Sequence, residues 1–443
     1  MSELLLTIVA LIGLLSAGFS SLNLFSDNKS LTVFERLGLS YGLGLIFIFL
    51  LEAFSSYLRI GFEPLFFTTA ILLYSLCSWL INPYYFFKPR MPRLKAKEWF
   101  LAALILATVL YVGIQSVLRP VIAWDAWATW YLVGKAFAIA GYIDPSIYLY
   151  GHFESPPLVQ MLVSYIFTMT NIQNDSYSLS SFFIFYISSL LLLLSYFRKY
   201  MSLFYSLLFT FLFSSLPNVI RHAGRFDVGN ADLPLAYFFL ASCLLLIRYI
   251  SNYTLTSLIL LELFIGFGAL IKNEGTPFLV IMQVIILSTL ILRDKIKKSH
   301  LLILITGFLP AVWWYFFKHV NSISPIYLLS DKPHFERIPT IAFNIIVELV
   351  NIQRWNLFWV AFLIVLLVVP WRKAKAKLIL IPVALQFCVY FYIYIITSGD
   401  KDYITQMHGT LDRLFLHITP IVFLWVAINS YYLFSTFFKK KLV

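Results

Sequence analysis

Long apolar stretches separated by short polar connections run along almost the whole chain. Most of them have about the length that a helix needs to cross a bilayer. This pattern predicts an all-α, polytopic membrane protein with about 13 transmembrane helices (12–14). We place the helices at residues 4–22, 34–54, 62–82, 98–118, 176–197, 201–216, 232–249, 255–271, 276–292, 301–319, 357–371, 378–396 and 413–434.

The composition supports a membrane protein and excludes an ordinary soluble domain. Of the 443 residues, 60% are hydrophobic and only 12% are charged, about half the charged fraction of a typical soluble protein. The first apolar stretch follows Met-Ser-Glu without a basic segment, so we expect a retained helix rather than a cleaved signal peptide. The three cysteines lie inside apolar stretches and form no metal or disulfide motif.

The distribution of charge predicts the topology. One alternate set of connections, with the flanking helix ends, holds 21 of the 33 Lys and Arg residues but only 4 of the 21 acidic residues. The positive-inside rule places this set in the cytoplasm, with the N-terminus outside and the C-terminus inside. The set comprises residues 23–33, 83–97, 198–200, 250–254, 293–300, 372–377 and the tail from 435. The net charge of +12 is therefore explained by the basic cytoplasmic connections of a membrane protein, and we expect no nucleic-acid partner.

The opposite side carries the unusual sequence. Its long connections are 119–175, 217–231, 320–356 and 397–412, and 16 acidic residues belong to this side. The motifs there are "WDAWATW", "GHFESPP", "RHAGRFDVGNADLP", "KNEG" and "GDKDYITQMHGTLDR". We expect any chemistry at this outer face.

The stretch "WDAWATWYLVGK" has two interpretations. Trp124, Trp127, Tyr131 and Lys135 are spaced by 3, 4 and 4 residues, which predicts a shared helical face. The first interpretation is an interfacial helix on which Asp125 caps the N-terminus and Lys135 extends to the headgroups. The second makes Asp125 a base at the membrane surface and Lys135 a ligand for an anion.

A second short helix is predicted in "GHFESPPLVQML". Ser155 is a natural N-cap there, and two prolines fit the first turn. The N–H groups at such a helix start suit a phosphate or a polar sugar. His152 and Glu154 stand just before it. Cap and turn chemistry alone would also explain this motif.

Three further outer-face motifs contribute charged residues. In "RHAGRFDVGNADLP" these include Arg225, Asp227 and Asp232, a mixture of signs that exceeds what a helix cap needs. Lys272 and Glu274 flank a tight hairpin in "KNEG" and can simply pair with each other. Arg413 enters the last helix and can bind either a phosphate or a lipid headgroup. Separately, Glu262 lies in mid-span, where we expect a hydrogen bond to a neighbouring helix.

In their order and shared location, these motifs resemble the GT-C class of integral-membrane glycosyltransferases. That class includes protein mannosyltransferases, the aminoarabinose transferases of lipid A, and bacterial lipopolysaccharide sugar transferases. Asp125 takes the position of the class's essential Asp after the first core helix. "HFESPPL" is similar to an "FEKPPL"-like segment, with Ser155 in place of a phosphate-contacting Lys. "NADLPLAYF", "KNEG" and "DRLFLHITP" resemble later motifs.

The resemblance implies a fold and a division of the chain. It implies a GT-C fold with two interfacial helices in the first long outer loop. A three-helix addition at residues 1–97 would precede a catalytic core at 98–320, which contains the loop 119–175. Residues 321–443 would supply further outer loops and helices. We expect an integral protein of a bacterial inner (plasma) membrane, with its site on the periplasmic or extracellular side.

The resemblance also implies a reaction. A sugar would pass, with inversion, from a polyprenyl-phosphate donor to a hydroxyl of a glycan, lipid or protein, and Asp125 would be the general base. Lys135, Lys272, Arg225 and Arg413 are the candidates for the donor phosphate. The candidates for binding the acceptor or sugar are His152, Glu154, Asp227, Asp232 and Glu274. Of these, Asp227, Asp232 or Glu154 could instead share a divalent cation such as Mg²⁺ or Mn²⁺.

Three other classes of protein compete with this interpretation. An O-antigen polymerase or ligase also has many helices but uses a diphosphate lipid donor and relies on Arg and His. A lipid-linked sugar transporter or flippase needs polar groups along a path at mid-membrane, where this chain offers Glu262. A structural membrane subunit would not need the density of motifs at the outer face.

Overall fold

The computed structural model of the protein describes residues 3–25, 31–82, 94–149, 154–171, 175–324, 330, 332–397 and 402–441. The helices of this part of the chain are numbered in order along the sequence. They are α1 Glu3–Asn23, α2 Val33–Leu58, α3 Pro64–Ile81, α4 Ala96–Leu118, α5 Leu132–Ala140, α6 Leu158–Thr170, α7 Ser180–Tyr200, α8 Leu203–Ser214, α9 Pro217–Gly224, α10 Asp232–Asn252, α11 Leu255–Gly268, α12 Gly275–Leu292, α13 Lys298–Gly307, α14 Leu309–Val320, α15 Ile338–Leu349, α16 Ile352–Trp355, α17 Phe358–Val368, α18 Leu380–Ile396 and α19 Asp402–Lys441.

All thirteen predicted stretches contain helices, which confirms an all-helical, polytopic membrane architecture. Within the described residues, ten helical segments are long and apolar enough to span a bilayer, and α8 with α9 makes an eleventh if this pair, bent by 67°, is one span. α8, α11 and α17 have only 12, 14 and 11 residues. A 14-residue helix rises roughly 21 Å, against about 30 Å of hydrocarbon. That all thirteen helices cross the whole membrane therefore remains a prediction.

Two helices form the centre of the bundle. In the long apolar segments of α10 and α19, 83% and 94% of residues are buried, against 17% in α3 and α4. α10 packs against α7, α11 and α19. Peripheral helices instead expose apolar side chains, as expected of faces that contact lipid. Polar side chains on α10 and α19 are thereby held in the interior.

The connections form two groups at opposite ends of the helices. In the basic group, Lys199 pairs with Glu35 at 2.6 Å, and Thr32 Oγ1 lies 2.6 Å from Ser195 Oγ. In the other group, the N–H of Phe62 donates to the carbonyl of Gly141 at 3.0 Å. Likewise Leu158 donates to Leu270 at 2.9 Å, and Ser330 to Ile396 at 2.7 Å. The long connections with the unusual motifs therefore contact one another.

Two glycines let α1 and α2 approach closely. A Cβ on Gly18 would lie 1.6 Å from the carbonyl oxygen of Ser40, and one on Gly44 would lie 2.0 Å from that of Leu14. Small residues at such crossings permit backbone contact between membrane helices.

We predict that Gly44→Ala destabilises the protein by about 1–3 kcal/mol, because the added methyl group must push the two helices apart. Thermal unfolding of the purified protein in detergent measures the change. Gly61→Ala is the matched control, because a Cβ there meets nothing within 4 Å. Equal stability of the two variants would contradict the close contact.

Candidate functional site

The site is built around the first residue of α10. Asp232 begins this helix, and α11 returns beside it in the opposite direction and ends at Gly268. The six residues before α12 leave the helical path and bring Lys272 back to Asp232. Arg413 and His417 lie one turn apart on α19 and reach the same carboxylate.

Three donors surround the Asp232 carboxylate, which is completely buried. Arg413 Nε donates to Oδ2 at 2.8 Å, and Lys272 Nζ donates to Oδ1 at 2.8 Å. His417 Nε2 also donates to Oδ1, at 3.0 Å, while its Nδ1 contacts the hydroxyl of Tyr390 at 3.0 Å. An ionised carboxylate in an apolar interior is costly unless it is paired and hydrogen-bonded, and these donors meet that requirement.

The pairs continue in both directions from Asp232. Lys272 Nζ lies 3.0 Å from Glu274 Oε1, and Arg413 Nη1 donates to Asp125 Oδ2 at 2.5 Å. Asp125, Arg413, Asp232, Lys272 and Glu274 thus alternate in sign, and we call them the central network. The Asp125 side chain is 41% exposed, whereas those of Arg413 and Lys272 are each 15% exposed. The network is therefore accessible chiefly at Asp125.

The charges of Lys272 and Glu274 depend on each other. Burial alone lowers the pKa of Lys272, but Asp232 and Glu274 outweigh it and raise that pKa. Burial alone raises the pKa of Glu274, but Lys272 and His417 outweigh it, and the pKa is lowered. Both groups are consequently ionised at neutral pH.

A second network lies beside the central one. Arg221 pairs with Asp227 and lies 3.4 Å from Asp412, and Arg354 lies 3.7 Å from the same Asp412 carboxylate. Glu348 accepts from Arg354 at 2.8 Å. Burial raises the pKa of Asp227, although Arg221 opposes the shift. Because Asp412 precedes Arg413 in the chain, the two networks meet on α19.

The capping role considered for Asp125 is wrong. Its backbone is already helical, and its side chain makes no capping hydrogen bond. The carboxylate turns instead to Arg413. The predicted common face is also interrupted, because residues 126–131 form a wider, π-helical turn. Trp124 and Trp127 are exposed, whereas Tyr131 is buried.

Several predicted site residues have partners outside the central network. Lys135 pairs with Asp175 at 2.5 Å, and Glu154 pairs with Lys318. The guanidinium of Arg225 lies 5.0 Å from the ring centre of Phe226. Of the predicted residues, the central network thus unites Asp125, Asp232, Lys272, Glu274 and Arg413. Asp227 belongs to the second network, and His152 lies outside the described residues.

The predicted start of the second loop helix is also wrong. α6 begins at Leu158, after both prolines, and Ser155 does not cap it. The N–H of Leu158 donates to Leu270 in the segment before Lys272. This contact ties the loop to the site, but it occupies an N–H group that was expected to face a phosphate or sugar.

The described carboxylates of the central network do not fit a divalent cation. Among the described residues, no three His, Cys, Asp or Glu side chains form a group that could hold a metal ion. Asp125 and Asp232 are both paired with Arg413, whose positive charge would repel such an ion.

Sequence reasoning missed several contributors to the two networks. The sequence does indicate His417, because it follows Arg413 by four residues and therefore shares its helical face. Tyr390 lies in a largely apolar stretch, and nothing in its sequence pattern indicates a role in the site. Glu348 and Arg354 lie near a helix end in the long connection before α17, where their pairing depends on the tertiary fold.

We predict that Asp232→Asn destabilises the protein by about 3–5 kcal/mol, because it leaves Arg413 and Lys272 without their shared carboxylate. Thermal unfolding in detergent measures the loss. Asp175→Asn is the control, because it breaks the partly exposed pair with Lys135 and should cost less than about 1 kcal/mol. Similar losses in both variants would show that the Asp232 pairs do not stabilise the fold.

Comparisons with known proteins found no matching family model, no similar curated protein and no similar solved structure.

Proposed function

We propose that the protein is a membrane glycosyltransferase of the GT-C type. It would transfer a sugar from a polyprenyl-phosphate donor to a hydroxyl of a glycan, lipid or protein acceptor. The observation that carries the proposal is the pairing of Asp125, an accessible carboxylate, with Arg413, a mostly buried cation, within a network that also holds Lys272. A base and fixed cations side by side are what displacement of a phosphate leaving group requires.

In the proposed reaction, the acceptor oxygen attacks the anomeric carbon and its proton passes to Asp125. The bond from that carbon to the phosphate oxygen breaks, and the electron pair leaves with the polyprenyl phosphate. A single displacement inverts the anomeric configuration. The exposure of Asp125 supports the role of base, because the acceptor hydroxyl must reach it.

Arg413 and Lys272 are the proposed cations for the leaving group. Asp232 holds both side chains within an apolar bundle, where electrostatic stabilisation is stronger than in water. A planar guanidinium can bind a phosphate through two parallel hydrogen bonds. Of the four cations considered from the sequence, these two belong to the central network, and both donate to Asp232.

The arrangement of the first long connection supports the GT-C type. After α4 the chain enters a helical segment that begins at Trp124, and α6 follows within the same connection. Both precede α7, which is the order expected from the resemblance. Glu154 and Ser155 depart from it, because the first pairs with Lys318 and the second replaces a lysine.

The same proposal places the site outside the cytoplasm. The connections on the side of the central network carry 16 of the 21 acidic residues, whereas those that contact one another at the other end are basic. The positive-inside rule then directs the basic end to the cytoplasm.

We predict that Asp125→Asn lowers the transfer rate at least about 10²-fold in a folded protein, because a positioned base typically contributes about 10²–10⁴-fold. The assay incubates membranes with a panel of radiolabelled polyprenyl-phosphate sugars and separates the labelled products. Glu63→Gln removes an exposed acid from the α2–α3 connection and should leave transfer unchanged. Lack of transfer from any such donor by the folded wild type would refute the assignment, and transport of the lipid-linked sugar without product would favour a flippase.

Cysteine labelling tests the orientation. In a variant without the three native cysteines, Glu63→Cys should react with a membrane-impermeant maleimide on intact cells. Lys297→Cys should react only after permeabilisation. The reverse pattern would place the central network in the cytoplasm and contradict the proposed location of the site.

A further inference from the structure

We propose that Asp125 and the donor phosphate compete for the same edge of Arg413, so that phosphate binding releases Asp125 to act as the base. This inference rests on the proposed function, because it assumes a phosphate at Arg413. It adds an order of events: the donor binds first and thereby activates the residue that deprotonates the acceptor.

The two carboxylates on Arg413 are held very differently. Asp232 is completely buried and also accepts from Lys272 and His417. Asp125 is 41% exposed, and within the described residues its ion-pair and hydrogen-bond partner is Arg413 alone. An anion that arrives from the accessible side therefore meets the less firmly held carboxylate. Displacing Asp125 leaves Arg413 anchored by Asp232.

The charge balance within the two networks also favours an exchange. The central network contains three carboxylates and two cations, and the second network contains three carboxylates and two arginines, so each carries a formal charge of −1. Neither network has a cation in excess for a phosphate. A phosphate beside an unmoved Asp125 would add like-charge repulsion. Exchange removes that repulsion and gives the phosphate the Nη1 edge of Arg413.

The energies permit this exchange. A partly exposed carboxylate–guanidinium pair contributes about 0.2–1 kcal/mol, whereas bidentate binding of a phosphate to Arg is among the stronger polar contacts. The exchange also sets the state of the base. While Asp125 accepts a hydrogen bond from Arg413, its Oδ2 is engaged, and after exchange both oxygens can receive the acceptor proton.

The test measures binding of dodecyl phosphate, which contains no sugar to transfer, to the purified full chain in detergent. Wild type, Asp125→Asn, Arg413→Lys and the double variant form a cycle. Arg413→Lys keeps the charge beside Asp232 but loses the planar fork, and thermal unfolding checks that each variant is folded. Glu348→Gln removes one negative charge from the second network and contacts neither Arg413 nor Lys272.

We predict that Asp125→Asn binds dodecyl phosphate about 2–5-fold more tightly than wild type, since about 1 kcal/mol corresponds to fivefold. In the Arg413→Lys background the same change should have little effect, because Lys cannot hold Asp125 and Asp232 together. Unchanged or weaker binding by Asp125→Asn would overturn the exchange. Equal tightening in both backgrounds, or equal tightening by Glu348→Gln, would also overturn it, because it would reflect net charge alone.

The outcome is independent of the transfer assay. If Asp125→Asn loses transfer but the binding cycle shows no coupling to Arg413, the exchange fails and the proposed reaction stands. If the coupling is found but no polyprenyl-phosphate sugar is a donor, the phosphate site stands and the proposed reaction fails.

Discussion

The burial of one carboxylate constrains the rest of the structure. Asp232 is the first residue of α10, one of the two most buried helices, where an unpaired charge would be prohibitively costly. Its three donors come from the segment before α12 and from α19, so these elements must meet α10 at one depth and in one orientation. The short α11 follows from the same constraint, because the chain must leave the helix early for Lys272 to reach Asp232.

Arg413 extends this constraint to the first long connection. Through Nε it is part of the buried core, and through Nη1 it holds Asp125, which lies 288 residues away in the chain. One side chain thus joins a rigid interior to an accessible surface. A site built this way can hold a leaving group with fixed charges and still let an acceptor approach, which is why the pairing bears on function.

The sequence predicted the features that depend on local pattern. Apolar length located the helices, and the alternation of charge separated two groups of connections, whose members contact one another in the structure. Five of the ten predicted site residues meet in the central network because their motifs lie at helix ends on one side of the bundle. The hydrogen bond expected from Glu262 to a neighbouring helix is also present, donated by Gln283 of α12.

What the sequence could not supply was the choice among partners. Asp125 looked like a cap because its local context suits one, but the distant Arg413 is the stronger partner. Lys135 and Glu154 looked available to a ligand until the fold brought Asp175 and Lys318 to them. The π-helical turn that directs Tyr131 into the interior cannot be recognised from the spacing of aromatic residues.

We propose that Arg413 binds the donor phosphate through the edge that otherwise pairs with Asp125. An experimental structure with a bound polyprenyl phosphate tests it most directly. We expect phosphate oxygens within hydrogen-bonding distance of Arg413, with Asp125 detached from that guanidinium. A phosphate bound elsewhere, with the Asp125–Arg413 pair intact, would contradict it.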